Sequence, residues 1–436
     1  RDAYNWSTID DRLKLEEGLK VTLPDGREVP KPVVIQVMAH ISGAPEWEPD
    51  FYDGTPRWVY DLIDSESPGN PRPIVQGMKV GHALKGCGKT AVLPMYGNER
   101  WRQEFYKMVR ALGRRYNGNP QISAVVICTG LDGETQIVKD WGCNWNTLLD
   151  QQAPDVRYGF GKFVNEAMQV YHEAFPDTPI FISNAPGGSG MRKATSDYAA
   201  SFDPPIGLKH HGLWVDLESH KGYGNFVGSF DMIDVYSSTL PIWLESVFGL
   251  GNKEHRYWTL IAGLHYHPDA MDLHPEFFTQ SDPAWLRFAD THMGVDINNT
   301  PDVWTVLRDS EYPRQDWGVG GTSGHPGDWT FWLYRKENAP LSATERVMRE
   351  GLPAAARDHV FSRQTRRTRQ EDNDIFMSFD IDDAYPYVDQ KPVDIPGGNV
   401  HYNVYATILN HGTDTFSLEH RNWDGGIVTR KRRKGE

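Results

Sequence analysis

The amino-acid sequence predicts an α/β protein: a (β/α)8 barrel followed by a C-terminal β-sandwich-like domain. Three observations predict it. From residue 32 to about 290, short apolar β-branched runs alternate with amphipathic stretches, the pattern of βα units around a parallel sheet. Carboxylates stand at or just beyond the ends of two of these runs, where a barrel of this kind gathers its working residues. After residue 295 the texture changes, first to Gly-, Asp- and Pro-rich sequence and then to alternating strand-like runs.

Taken in order, the strand candidates are 33–39, 90–96, 122–129, 178–183, 206–210, 241–246 and 270–274. Between them lie helical segments such as 99–116, 156–175 and 253–264, with apolar residues at i, i+3, i+4 and i+7. In the first of these helices Phe105, Met108, Val109 and Leu112 form one stripe. That makes seven strands where closure needs eight. The segment Tyr4-Asn5-Trp6-Ser7, followed by Ile9-Asp10, reads as the loop and helix start after a first strand, which places that strand upstream of Arg1. On this count the strand at Val33 is the second, the one ending near Thr129 the fourth, and the one holding Glu245 the seventh. The expected domains are the barrel at 1–295, an irregular region packing on it at 296–370, and a β-sandwich accessory domain of carbohydrate-binding type at 371–436, with too few strands to be complete.

A formal net charge of −14 argues against a nucleic-acid partner, since no basic surface would neutralise phosphates. The one basic run, 430–434, reads as a solvated edge. No apolar run approaches the ~18–20 residues needed to span a bilayer. The three cysteines, Cys87, Cys128 and Cys143, show no zinc-ligand spacing and allow at most one disulfide. Fifteen Trp among 12% aromatic residues fit stacking on sugar rings, and fit a Trp-rich core equally well.

Two carboxylates carry the chemistry. The 122–129 run ends in Gly130-Leu131-Asp132-Gly133-Glu134, where two glycines let the backbone turn tightly over the barrel mouth before presenting an acid. Alternatively, Glu134 caps the next helix. The second acid, Glu245, ends the apolar run Pro241-Ile242-Trp243-Leu244, where burial is costly unless the group has a partner or a task. A structural salt bridge is the plain alternative. Other polar or aromatic residues at or beyond strand ends point to a mouth that binds a neutral, hydroxyl-rich ligand: His40, Tyr96, Asp132, Asn184, His211 and His274. Trp141 and Trp214 are candidate stacking platforms there.

The stretch 104–134, with Val109-Arg110-Ala111-Leu112-Gly113-Arg114-Arg115-Tyr116 and the Gly130–Glu134 loop, resembles barrel glycoside hydrolases related to the family-42 β-galactosidases, and more closely their relatives with a Gly-x-x-Gly-Glu loop. Trp304-Thr305-Val306-Leu307-Arg308-Asp309 is similar to them too. In that clan the acid/base follows strand four and the nucleophile ends strand seven, the two places that the strand count gives to Glu134 and Glu245. The resemblance therefore implies a retaining hydrolase acting on a β-glycosidic bond of an oligo- or polysaccharide. It implies no cofactor, a carbohydrate substrate as partner, and a secreted or extracytoplasmic enzyme. One departure is Gly133, where most of the clan has an Asn that contacts the sugar 2-hydroxyl; Asn184 or His211 could supply that contact. The Gly-x-x-Gly-Glu loop also occurs in the inverting β-amylases, so inversion remains an alternative, as does a catalytically inactive carbohydrate-binding barrel. Two Asn-Glu dipeptides, Asn98-Glu99 and Asn165-Glu166, are decoys by position. Asp380, Asp382 and Asp383 form a candidate structural calcium cluster, and no other metal-ligand set is expected.

Overall fold

The computed structural model describes residues 4–22, 27–40, 54–69, 73–78, 89–138, 144–183, 189–213, 231–237, 239–246, 253–264 and 266–294, together with short strand segments beyond residue 304. Six strands form one parallel sheet: β1 (Val33–His40), β2 (Ile122–Leu131), β3 (Ile180–Ser183), β4 (Gly207–His211), β5 (Ile242–Glu245) and β6 (Ala270–Asp272). Their spatial order is their chain order, without reversal. That order separates two kinds of α/β fold. A doubly wound sheet reverses direction at a switch point, whereas here every connection steps the same way. Right-handed crossovers then place all helices on one face, and the other face is covered only if the sheet curls upon itself. A sequentially wound, six-stranded parallel sheet with helices between the strands fits part of a (β/α)8 barrel.

The inner face is apolar in its lower layers, where Ala124, Val126 and Cys128 of β2 pack with Phe181 of β3 and Trp243 of β5. The outer face is sealed by helices. The 3.6-residue periodicity of α1 (Glu99–Tyr116) buries Trp101, Tyr106, Val109, Leu112 and Tyr116, while α2 (Pro154–Ala174) answers with Phe160, Phe163, Ala167 and Tyr171. Asn98 caps α1 by accepting from the Trp101 amide at 3.0 Å. The seam is aromatic, with the Phe163 ring 5.2 Å from each of Tyr96, Trp101 and Phe105. Trp101, Trp243 and Trp285 are all core residues, so much of the Trp content among the described residues serves packing.

One expected strand is corrected. The run 90–96 is not the third strand of the parallel sheet: Lys89–Val92 pairs antiparallel with Ile74–Met78 as a separate two-stranded unit, and β1 pairs directly with β2. Pro94 lacks the amide that a continuing ladder needs, and Leu93, Met95 and Tyr96 turn into the core instead. The described residues therefore give six strands to the sheet rather than seven.

The chain divides into two compact units. The first takes in residues 1–304, 316–324 and 332–336, and the second 305–315, 325–331 and 337–436. The described parts of the second are short antiparallel pairs, the longest joining Phe416–Arg421 to Ile427–Arg432. The Asp380, Asp382 and Asp383 cluster lies outside the described residues. Among the described residues no helix is long and apolar enough to cross a membrane.

Candidate active site

Parallel register decides which side chains share a level. Ser183 stands opposite Lys209, Lys209 opposite Trp243, and Trp243 opposite Ala270. One pleat further on, His211, Glu245 and Asp272 stand side by side at the ends of β4, β5 and β6. Residues two apart on a strand point to the same face, so both rows belong to the inner face that holds Phe181 and Trp243. The inner face thus turns from apolar to charged at the C-terminal end of the sheet.

The second acid comes from a loop. After β2 the chain folds back at once, with the Leu131 amide donating to the Gln136 carbonyl at 2.9 Å and the Asp132 amide to the His40 carbonyl at 2.9 Å. Asp132 and Gly133 are consecutive left-handed residues, with φ of 53° and 81°. A Cβ at Gly130 would lie 2.1 Å from the Gln136 carbonyl oxygen and 2.4 Å from that of Glu134, and one at Gly133 would lie 3.1 Å from the Cys128 sulfur. This explains the departure at Gly133: a residue with a side chain would meet both the positive φ and the thiol. Gly130→Ala should force the loop open, costing on the order of 2 kcal/mol and displacing Glu134. Thermal melts and turnover measured together would check this.

The loop returns Glu134 to the mouth, 7% exposed. Its Oε2 accepts from Gln136 Nε2, and its Oε1 lies 3.6 Å from His211 Nδ1. His211 Nε2 lies 3.8 Å from Glu245 Oε2 and 3.2 Å from Ser183 Oγ. Thr135 Oγ1 donates to the Ser183 carbonyl, tying the loop to β3. One imidazole therefore touches both carboxyl groups, which come from strands three steps apart in the sheet. Below them Lys209, 1% exposed, holds Glu245 Oε2 at 2.5 Å, reaches Asp272 Oδ2 at 3.9 Å, and lies 5.1 Å from the Trp243 ring centre.

Burial pushes the Asp272 carboxyl above its ordinary range, helped by the Glu245 charge and opposed by the Lys209 ammonium. Burial also pushes the Cys128 thiol up to about 12, so it stays protonated and is no nucleophile. Cys128 is unbridged.

The other candidate residues are scattered. His40 ends β1, wholly buried beneath the Asp132 turn. Tyr96 is wholly buried among Phe160, Phe163 and Trp101 on the helix side. His274 caps the helix Pro275–Gln280 through its Nδ1. The structure does not bring Tyr96 or His274 to the carboxylate pair. Trp141, Asn184 and Trp214 lie outside the described residues. Of the decoys, Glu99 starts α1 and Glu166 pairs with Arg102 and Tyr106. Sequence reasoning missed Lys209, Gln136 and Ser183, and weighed Asp272 only as a metal ligand. The one usable signal was a Lys in the middle of a strand otherwise suited to burial.

Burial lowers the His40 imidazole to about 4, against a raising pull from Asp132 and the Ile137 backbone. An unfolded chain carries this group near 6.5. Between about pH 6.5 and 4 the unfolded state therefore binds the extra proton, and stability should fall as pH drops through that window, by at most about 3 kcal/mol. His40→Leu should flatten this part of the curve in thermal melts from pH 7 to 4.

No family model matches the chain, and no curated protein matches it in sequence. Among solved structures, one similar chain is a polyextremophilic β-galactosidase from the Antarctic haloarchaeon Halorubrum lacusprofundi, at 12% identity and TM-score 0.34, covering 63% of this chain and 46% of that one. Endo-glycoceramidase II from Rhodococcus sp. matches at 14% and 0.33, covering 62% and 60%. An endo-1,4-β-xylanase from Caldicellulosiruptor owensensis matches at 12% and 0.28, covering 62% and 71%. The chain thus spans about half to three-fifths of the length of the first two. These neighbours are glycoside hydrolases, but overlaps this partial leave the site geometry to stand on its own.

Proposed function

We propose that the chain is a glycoside hydrolase that cleaves a β-glycosidic bond in an oligo- or polysaccharide, with Glu134 as general acid/base and Glu245 as the partner carboxylate. One observation carries this reading. Two carboxyl groups, one on a loop after β2 and one at the end of β5, converge on a single imidazole at the C-terminal end of the sheet. Glycoside cleavage requires such a pair: one group protonates the departing oxygen while the other meets the anomeric carbon. In the retaining form, Glu245 attacks that carbon and Glu134 gives its proton to the leaving oxygen. Glu134 then takes a proton from the water that releases the sugar. His211, between the two, is placed to donate to a sugar hydroxyl or to either carboxylate. Trp141, Asn184 and Trp214 remain the proposed rim contacts, and a secreted or extracytoplasmic location accords with a polymeric substrate.

The Lys209–Glu245 ion pair favours a second reading, in which Glu245 is structural and the mouth only binds carbohydrate. Screening aryl β-glycosides and an oligosaccharide array separates the two, because only the hydrolase releases reducing sugar. Proton NMR of the first-formed anomer then reports mechanism. Retention is expected, and inversion would place a water between the carboxyl groups.

A further inference from the structure

We propose that Lys209 is a positioning residue for Glu245: its buried ammonium grips one carboxylate oxygen and leaves the other as the reacting atom. The inference rests on the hydrolase reading above and deepens it. Lys209 sits in a row whose neighbours on the inner face are Ser183, Trp243 and Ala270, a level that apolar residues would fill without cost. A buried ammonium carries a desolvation penalty of several kcal/mol unless well paired. Its partners account for its presence. Glu245 and Asp272 are directly opposed on adjacent parallel strands, and the Glu245 charge helps push the Asp272 carboxyl up, as neighbouring carboxylates do. Lys209 contacts both from the row beneath, much nearer to Glu245. Cys128 from β2 faces the same ammonium as a neutral thiol, and among the described residues His211 with Glu134 completes the charged and titratable groups around Glu245.

The grip is one-sided. Lys209 Nζ and His211 Nε2 both address Glu245 Oε2, and among the described residues no hydrogen bond or ion pair engages Oε1. A carboxylate held by one oxygen from below presents the other upward with its charge kept, as a group that must meet an electrophilic carbon requires.

The test combines two readouts on the full chain. Wild type, Lys209→Met and Lys209→Arg are assayed on 4-nitrophenyl β-glycosides across pH. Their aspartate carboxyls, labelled with carbon-13, are titrated by NMR, with Asp272→Asn used to assign the resonance. Lys209→Met should lose ~100-fold in kcat with KM changed little, and the acid side of its profile should move up by about one pH unit or more. Its Asp272 titration should move upward as well. Lys209→Arg keeps the charge with altered reach, so its profile should stay while kcat falls between the other two. If Lys209→Met fails to fold, Lys209→Arg carries the test, and wild-type kcat there would overturn the proposal. So would a folded Lys209→Met with wild-type kcat and profile, or an unmoved Asp272 resonance. A wild type inactive on every glycoside, with the Asp272 shift present, would remove the hydrolase reading and leave Lys209 a counter-ion without a catalytic role.

Discussion

Replacing Glu134 by Gln should lower kcat/KM on unactivated β-glycosides by ~100- to 10,000-fold, the range that a positioned general acid contributes. The amide keeps the shape of the side chain and its place beside Gln136 and His211, but its N–H protons are far too weakly acidic to be delivered to a leaving oxygen. Glu245→Gln should be at least as damaging, since an amide cannot attack carbon. The double variant should cost little more than the worse single one, because groups that act in one step are not additive. Circular dichroism and melts on the same preparations distinguish lost chemistry from lost fold. Among the described residues Glu245→Gln leaves Asp272, 3.9 Å away, as the one carboxylate paired with the Lys209 ammonium, so some loss of stability is expected in that variant and not in Glu134→Gln.

Phe163→Ala should destabilise the protein by about 3–5 kcal/mol, the cost of deleting a fully buried aromatic from a close-packed seam. Phe163 is 0% exposed, and its ring meets Tyr96, Trp101, Phe105 and Tyr106 at 5.2 to 6.2 Å. Rings from two helices and the segment before α1 therefore share one contact, and none can collapse into the space without opening another. A denaturant titration checks the magnitude. A loss below about 1 kcal/mol would mean that the seam between α1 and α2 does not hold the helical layer.

Much of the site was legible because two periodicities and one loop were. The apolar runs at 33–39, 122–129, 178–183, 206–210, 241–246 and 270–274 all correspond to strands of the sheet, with edges moved by a few residues. The three-strand interval from the Glu134 loop to Glu245 survives in the observed order, whereas their numbering as fourth and seventh counted 90–96 as a strand of the sheet, which it is not. The run at 90–96 misled because a short apolar segment looks alike whether it pairs in a sheet or packs under helices. Tyr96, at its end, is core for the same reason. Lys209 and Asp272 were illegible for a different one. Which residues of neighbouring strands stand level depends on register, and a single sequence does not contain it. Only when His211, Glu245 and Asp272 share a row, with Lys209 beneath, does a lysine inside a strand become the partner of an acid. The Gly130–Glu134 loop shows the opposite case: its two glycines were read as a tight turn, and Gly130 leaves no room for a side chain while Gly133 holds a left-handed φ close against the Cys128 sulfur.

Leaving-group dependence in Glu134→Ala tests most directly the proposed division of labour in which Glu134 delivers the proton while Glu245 forms the bond. With its acid removed, the enzyme should still cleave a 2,4-dinitrophenyl β-glycoside, whose leaving group departs without a proton, while a 4-nitrophenyl or natural glycoside should be cleaved poorly. Added azide should then raise turnover and yield a glycosyl azide, since the small anion can occupy the emptied place and take up the sugar held by Glu245. Equal loss on both substrates with no azide product, or wild-type turnover of both, would contradict the account.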